Sequence, residues 1–168
     1  SLAHDFNTTS WVAWGGGYAL NFNHAAMARN GRTVVFFNPP TSEGTTYKGR
    51  YWVYNMDTGT YSTGTDVQLG GGLSYAAFPS AGVFYDAEAM VYVPPLNRYW
   101  VFTRSNTGAM QALQLDPTTT PWTLSPLTFT NGNPMTQLLA VGRVQWIEAL
   151  GAVLAWDHCF VNAKFYKV

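Results

Sequence analysis

The chain has 168 residues, with nine basic and nine acidic side chains and a formal net charge of zero. Charged residues make up 11% and aromatic residues 16% of it, where a typical globular protein is about a quarter charged. No basic patch interleaves with the aromatics, so nucleic acid is not an expected partner. The single cysteine, Cys159, excludes an intrachain disulfide framework and a multi-cysteine zinc site.

No apolar run is long enough to span a bilayer, and no membrane span is expected. The chain begins at Ser1 without a basic-apolar leader pattern, and a mature or trimmed product is expected. Abundant Thr, Asn, Gly, Tyr and Trp in place of charge suit a neutral polar surface, as in a virion or another extracellular assembly. Asn7-Thr8-Thr9 fits a glycosylation acceptor triplet.

In chain order, residues 8–14 read as a short strand around Trp11 and Val12, followed by Gly15-Gly16-Gly17. Next comes a hairpin, residues 26–37, turning at Asn30-Gly31, a dipeptide that supplies the positive φ such turns need. A Pro/Ser/Gly/Thr-rich loop leads to a third strand at residues 50–56. There Asp57 is expected to open a turn through its side-chain oxygen, and Tyr61 to begin a fourth strand that reaches residues 66–69 before Gly70-Gly71-Gly72.

The pattern then recurs. Residues 90–102 align without a gap to residues 144–156, each an apolar strand, a turn around Leu96-Asn97 or Leu150-Gly151, and a second apolar strand. In the second copy a third strand at 109–115, a turn at Asp116 and an aromatic, Trp122, introduce the fourth. In the third copy the third strand, residues 161–167, carries Phe165 and Tyr166, and the chain stops at Val168. Helical periodicity is almost absent, while β-branched and aromatic runs alternate with Gly, Pro and Asn.

The expected fold is therefore all-β: about three four-stranded antiparallel sheets forming one domain over residues 1–168. The approximate units are 24–69, 86–130, and 141–168 plus 8–14, the N-terminal segment supplying the last sheet's fourth strand. Repeats of this length mark arrays in which no unit buries its faces alone.

Sheets at this period, with an Asp turn and an aromatic opening the outer strand, resemble the blades of kelch-like, galactose-oxidase-like β-propellers. The Gly-Gly pair usual at the end of such a blade's second strand is replaced here by Asn38-Pro39, Arg104-Ser105 and Asp157-His158. The resemblance implies a propeller-like array, and a propeller takes roughly four to eight blades. Two chains joined into a six-bladed ring, a longer propeller of which this chain is part, or another way of stacking are the alternatives. Some relatives within that resemblance are copper oxidases with a Tyr–Cys cross-link and two histidines. No spacing around Cys159 matches that arrangement, so no cofactor is expected.

Among residues with chemistry, His4, His24 and His158 show no metal-ligand spacing, and neighbouring His158 and Cys159 would point to opposite faces of a strand. Asp86 and Glu88, two apart at the start of a strand, are the one acidic pair that shares a face and is a candidate for acid–base chemistry. Tyr47, Tyr75, Tyr85 and Trp122 are loop aromatics able to stack on a sugar. Trp11, Val12, Phe165 and Tyr166 lie on the terminal strands expected to complete a sheet within or between chains. The resulting reading is a non-catalytic structural or recognition module in an assembly, a virion or tail component or an extracellular binding domain. The alternatives are a glycan-binding lectin or a carbohydrate-active enzyme.

Overall fold

The computed structural model describes residues 26–44, 48–80, 89–130, 144–155 and 163–168. These form three sheets, and the protein is all-β. The first holds β1 (Ala26–Asn30), β2 (Thr33–Asn38), β3 (Arg50–Asn55), β4 (Thr60–Tyr61) and β5 (Thr65–Asp66). The second is ordered β6 (Gln68–Leu69), β10 (Thr123–Pro126), β9 (Met110–Asp116), β8 (Arg98–Arg104), β7 (Ala89–Val93). The third is ordered β11 (Val144–Ile147), β12 (Ala152–Ala155), β13 (Lys164–Lys167).

The two aligned hairpins share a backbone, as their gapless alignment predicts. Val93 and Ile147 leave the first strand at φ/ψ of −114/93° and −111/97°. One 3-10 turn follows in each, Pro94–Leu96 and Glu148–Leu150, and each ends on a left-handed residue, Asn97 (φ 47°) or Gly151 (φ 55°). Only Gly and, less readily, Asn take that conformation without a large penalty. The turns agree because Asn97 and Gly151 agree. The first hairpin is shorter, with Gly31 at φ 57° and Asn30 opposite Thr33.

Three local expectations change. In the first sheet Asn55, not Asp57, makes the side-chain turn: its Oδ1 accepts from the Asp57 amide at 2.8 Å. Asp57 pairs instead with Arg32. Asp116 does make the expected turn, accepting from the Thr118 amide at 2.8 Å. The first sheet's fourth strand is split into β4 and β5. Between them Ser62 Oγ accepts from the Val53 amide at 2.9 Å, replacing the ladder bond a straight strand would make. Gly64 fits there because a Cβ would lie 2.5 Å from the Trp52 indole nitrogen. Finally, residues 68–69 do not belong to the first sheet. They pair parallel with β10, Gln68 opposite Thr123 and Leu69 opposite Leu124, which makes the second sheet mixed while the others are antiparallel.

The second sheet lies between the other two and buries both faces. Tyr99, Val101, Leu113 and Leu115 face the first sheet, where they meet Val35, Phe37 and Tyr51. Trp100, Phe102 and Ala112 face the third, against Val153 and Ala155. Strand alternation sends neighbouring side chains to opposite faces, so the adjacent pair Tyr99-Trp100 serves two cores at once. The first strands of the three sheets lie side by side, β1 against β7 and β7 against β11.

Candidate functional site

The third sheet is where the architecture is incomplete among the described residues. β13 pairs with β12 on one side, Phe165 opposite Leu154 and Tyr166 opposite Val153. No described strand pairs with its far edge. An open edge presents backbone donors and acceptors to any extended segment. Alternation then divides the two residues that the sequence marks for assembly. Tyr166 turns toward the second sheet and packs on its core, while Phe165 is 58% exposed at the rim of the cleft beside it.

Beside this edge an open cleft of about 750 Å³ separates the third sheet from the second. Phe129, from the segment that follows β10, stands in its wall and joins the two sheets. Its ring meets Trp100 edge-on at 5.3 Å and 78°, and Tyr166 at 4.8 Å. Lys164 and Lys167 line the same cleft from the two ends of β13. The Trp100 indole N–H is buried and has no acceptor, a cost of roughly 1–3 kcal/mol for an unsatisfied donor. The cleft thus combines aromatic and aliphatic walls with threonines and two lysines, beside a strand edge that no described strand covers.

The remaining candidates from the sequence fall elsewhere. Asp86, Glu88, Tyr47, Tyr85, Trp11, Val12, the three histidines and Cys159 lie outside the described residues. Tyr75 is half-buried, with its ring against the backbone of Gly44, where a Cβ would come within 2.6 Å of it. Trp122 is also half-buried. It stacks on Tyr51 at 4.0 Å and 7°, and lies nearly parallel to Tyr99 at 5.7 Å. Both rings therefore work in packing, and Trp122 in particular joins the first sheet to the second. Among the described residues no three His, Cys, Asp or Glu side chains converge as a metal site would require.

Two ionisable groups are shifted. Burial pushes the Tyr99 hydroxyl up to about 12, opposed by a hydrogen bond from Asn30 and assisted by Tyr92. At Asp116 desolvation acts upward, but the Thr118 hydroxyl and amide and the Arg98 guanidinium outweigh it, and the carboxyl is lowered. The Arg98–Asp116 contact, 2.8 Å, has a counterpart in Arg32–Asp57. Each ties the residue after the left-handed turn position to the end of the third strand. Neither shift marks a catalytic pair. Tyr99 reports a core position, and Asp116 a turn.

The sequence did not point to Phe129 or to the cleft it lines, because a lone aromatic after a strand carries no pattern. The turn clasp had a visible signal: an arginine directly follows Gly31 and Asn97, but alanine follows Gly151. No known protein-family model matches the chain, and no curated protein matches it.

Proposed function

We propose that the chain is a non-catalytic, kelch-like β-propeller module that acts in an assembly, completing its last sheet with a strand from a terminal segment. The observation that carries this reading is the third sheet, three-stranded among the described residues, with an edge of β13 that no described strand covers beside an open cleft, and with Phe165 exposed at the cleft's rim. The side-by-side first strands β1, β7 and β11 support a fan of sheets about a common hub. Three twisted sheets are too few to close such a fan, since propellers use about four to eight. The residues 8–14 segment, with Trp11 and Val12, is the proposed completing strand, donated to the third sheet of a neighbouring chain. Low charge and a surface of Thr, Asn and Gly suit a virion, tail or extracellular assembly.

Light scattering on the intact chain tests the reading. A discrete oligomer is expected that dissociates when Val12 and Phe165 are both replaced by Glu, charges that a paired strand would have to bury or oppose. A wild-type chain that stays monomeric at every concentration measured would overturn it.

A further inference from the structure

The described arginines are provided for in every case but one. Arg32 pairs with Asp57, Arg50 with Asp66 at 2.6 Å, and Arg98 with Asp116 at 2.8 Å. Arg29 donates its Nε to the Gly31 carbonyl at 2.8 Å. Among the described residues nothing forms an ion pair or hydrogen bond with the side chain of Arg104, the last residue of β8, and its Nε is buried without an acceptor. Every aspartate among the described residues already serves another arginine. A half-buried guanidinium left without a counter-charge is costly, and that cost points to an acceptor that is not part of the described chain.

The surroundings of Arg104 are those of a receiving site. It lines a cavity of about 540 Å³ whose other polar walls are Ser42, Ser80, Ser105, Asn106 and Thr107, with no acidic residue among the described lining. Phe78 and Pro79, both buried, close its floor. Three loops form these walls, and hydrogen bonds lace them together. The Ser42 amide donates to the Pro79 carbonyl at 2.8 Å, and the Asn106 amide to the Ala77 carbonyl at 2.9 Å. Asn106 Nδ2 donates to the Ala76 carbonyl at 2.7 Å. Within the β8–β9 turn the Ser105 amide donates to the Ala109 carbonyl at 2.7 Å. The Ser105 and Thr107 hydroxyls are 2.8 Å apart, so one of them donates to the other and the donor's partner keeps its own proton for a ligand. The cavity therefore has its shape before anything binds, and little ordering opposes binding.

We propose that this cavity, centred on Arg104, binds a singly charged oxyanion on a small polar molecule, as in an acidic sugar. One guanidinium supplies one positive charge in a fork that matches a carboxylate in bidentate fashion. The hydroxyl and amide walls suit the neutral polar remainder of such a ligand. A carboxylate and a sulfate ester share this chemistry, and the experiment separates them.

Calorimetric titration of the intact chain with sodium glucuronate, sodium sulfate and glucose provides the test. Saturable binding of glucuronate, sulfate or both is expected, with none of glucose. Glucuronate alone identifies a carboxylate ligand, and sulfate alone a sulfate ester. Arg104→Gln is expected to weaken binding at least tenfold, and Arg104→Lys to weaken glucuronate more than sulfate, because lysine keeps the charge but loses the fork. Without added anion, Arg104→Gln is expected to melt at the wild-type temperature or above it. Absence of binding by either anion would overturn the proposal, as would equal binding by Arg104→Gln. A lower melting temperature for that variant would overturn it too, because it would show that the chain itself supplies the missing acceptor.

Discussion

The second and third sheets start from the same hairpin and end differently. In the second, Arg98 follows the left-handed residue and clasps Asp116, β10 adds a fourth strand, β6 adds a fifth, and both faces are buried. In the third, Ala152 stands where Arg98 would, three strands are present among the described residues, and Phe165 and Val168 are exposed at 58% and 41%. The hairpin is therefore a local object, specified by alternation and one residue of positive φ. Completion of the sheet is decided by side chains and strands that arrive from elsewhere.

The largest contrast is expected from truncating one phenylalanine in each sheet. Phe102→Ala, in a fully buried position of the second sheet, is expected to cost about 3–5 kcal/mol. Phe165→Ala is expected to cost under about 0.5 kcal/mol in the monomer. Urea denaturation of the two variants checks both, and equal losses would mean that the third sheet is as enclosed as the second.

Tyr99 provides an alkaline counterpart in the same central sheet. Its folded value, about 12, lies above the usual 10, so the unfolded chain gives up this proton first. The stability that depends on the neutral hydroxyl is complete below pH 10 and falls as the pH rises toward 12, by on the order of 2 kcal/mol. Tyr99→Phe is expected to remove that share of the alkaline loss, as melting temperatures between pH 9 and 12 would show.

At the hairpin itself, Gly151→Ala is expected to cost about 1–2 kcal/mol. A Cβ there meets nothing within 4 Å, so the cost is purely conformational. Thermal unfolding measures it, and a neutral result would show that the turn can relax away from the left-handed state. The smallest effect belongs to the clasp. Asp116 is lowered, so its contribution is present above about pH 4 and is lost as the pH falls through the folded value. Its partial exposure limits this to about 0.5–1 kcal/mol. Asp116→Asn is expected to reduce stability at pH 7 by that amount and to flatten the acid limb, which equilibrium unfolding at pH 3 and pH 7 would reveal.

Much of the fold was legible because its determinants are close in sequence. Val93 to Arg98 and Ile147 to Ala152 carry their turn in Asn97 and Gly151, and strand alternation places Tyr99 and Trp100 on opposite faces. What could not be read depends on distant partners. Two residues, Gln68 and Leu69, contain no information about which sheet they join, and β10 decides it. Asn55 and Asp57 compete for the same turn, and Arg32 draws the aspartate away. In the candidate site, Phe165 and Tyr166 were legible as a terminal strand. The cleft depends on Phe129 reaching across from the segment after β10, and the lack of a described partner at Arg104 emerges only once the other described arginines and the aspartates are paired.

The crossover at Val67 has a mechanical consequence. The Val67 amide donates to Gly49 in the first sheet's connection, and the next amide, Gln68, donates to Trp122 at the entrance of β10 in the second, both at 2.9 Å. Tension along the backbone here loads two ladders at once, through a single residue that is 5% exposed. The first two sheets should therefore yield together under force, as one unit. Among the described residues no such stitch joins the second sheet to the third. That seam, held by Phe129 and its neighbours, is where a pulled or breathing molecule would part first.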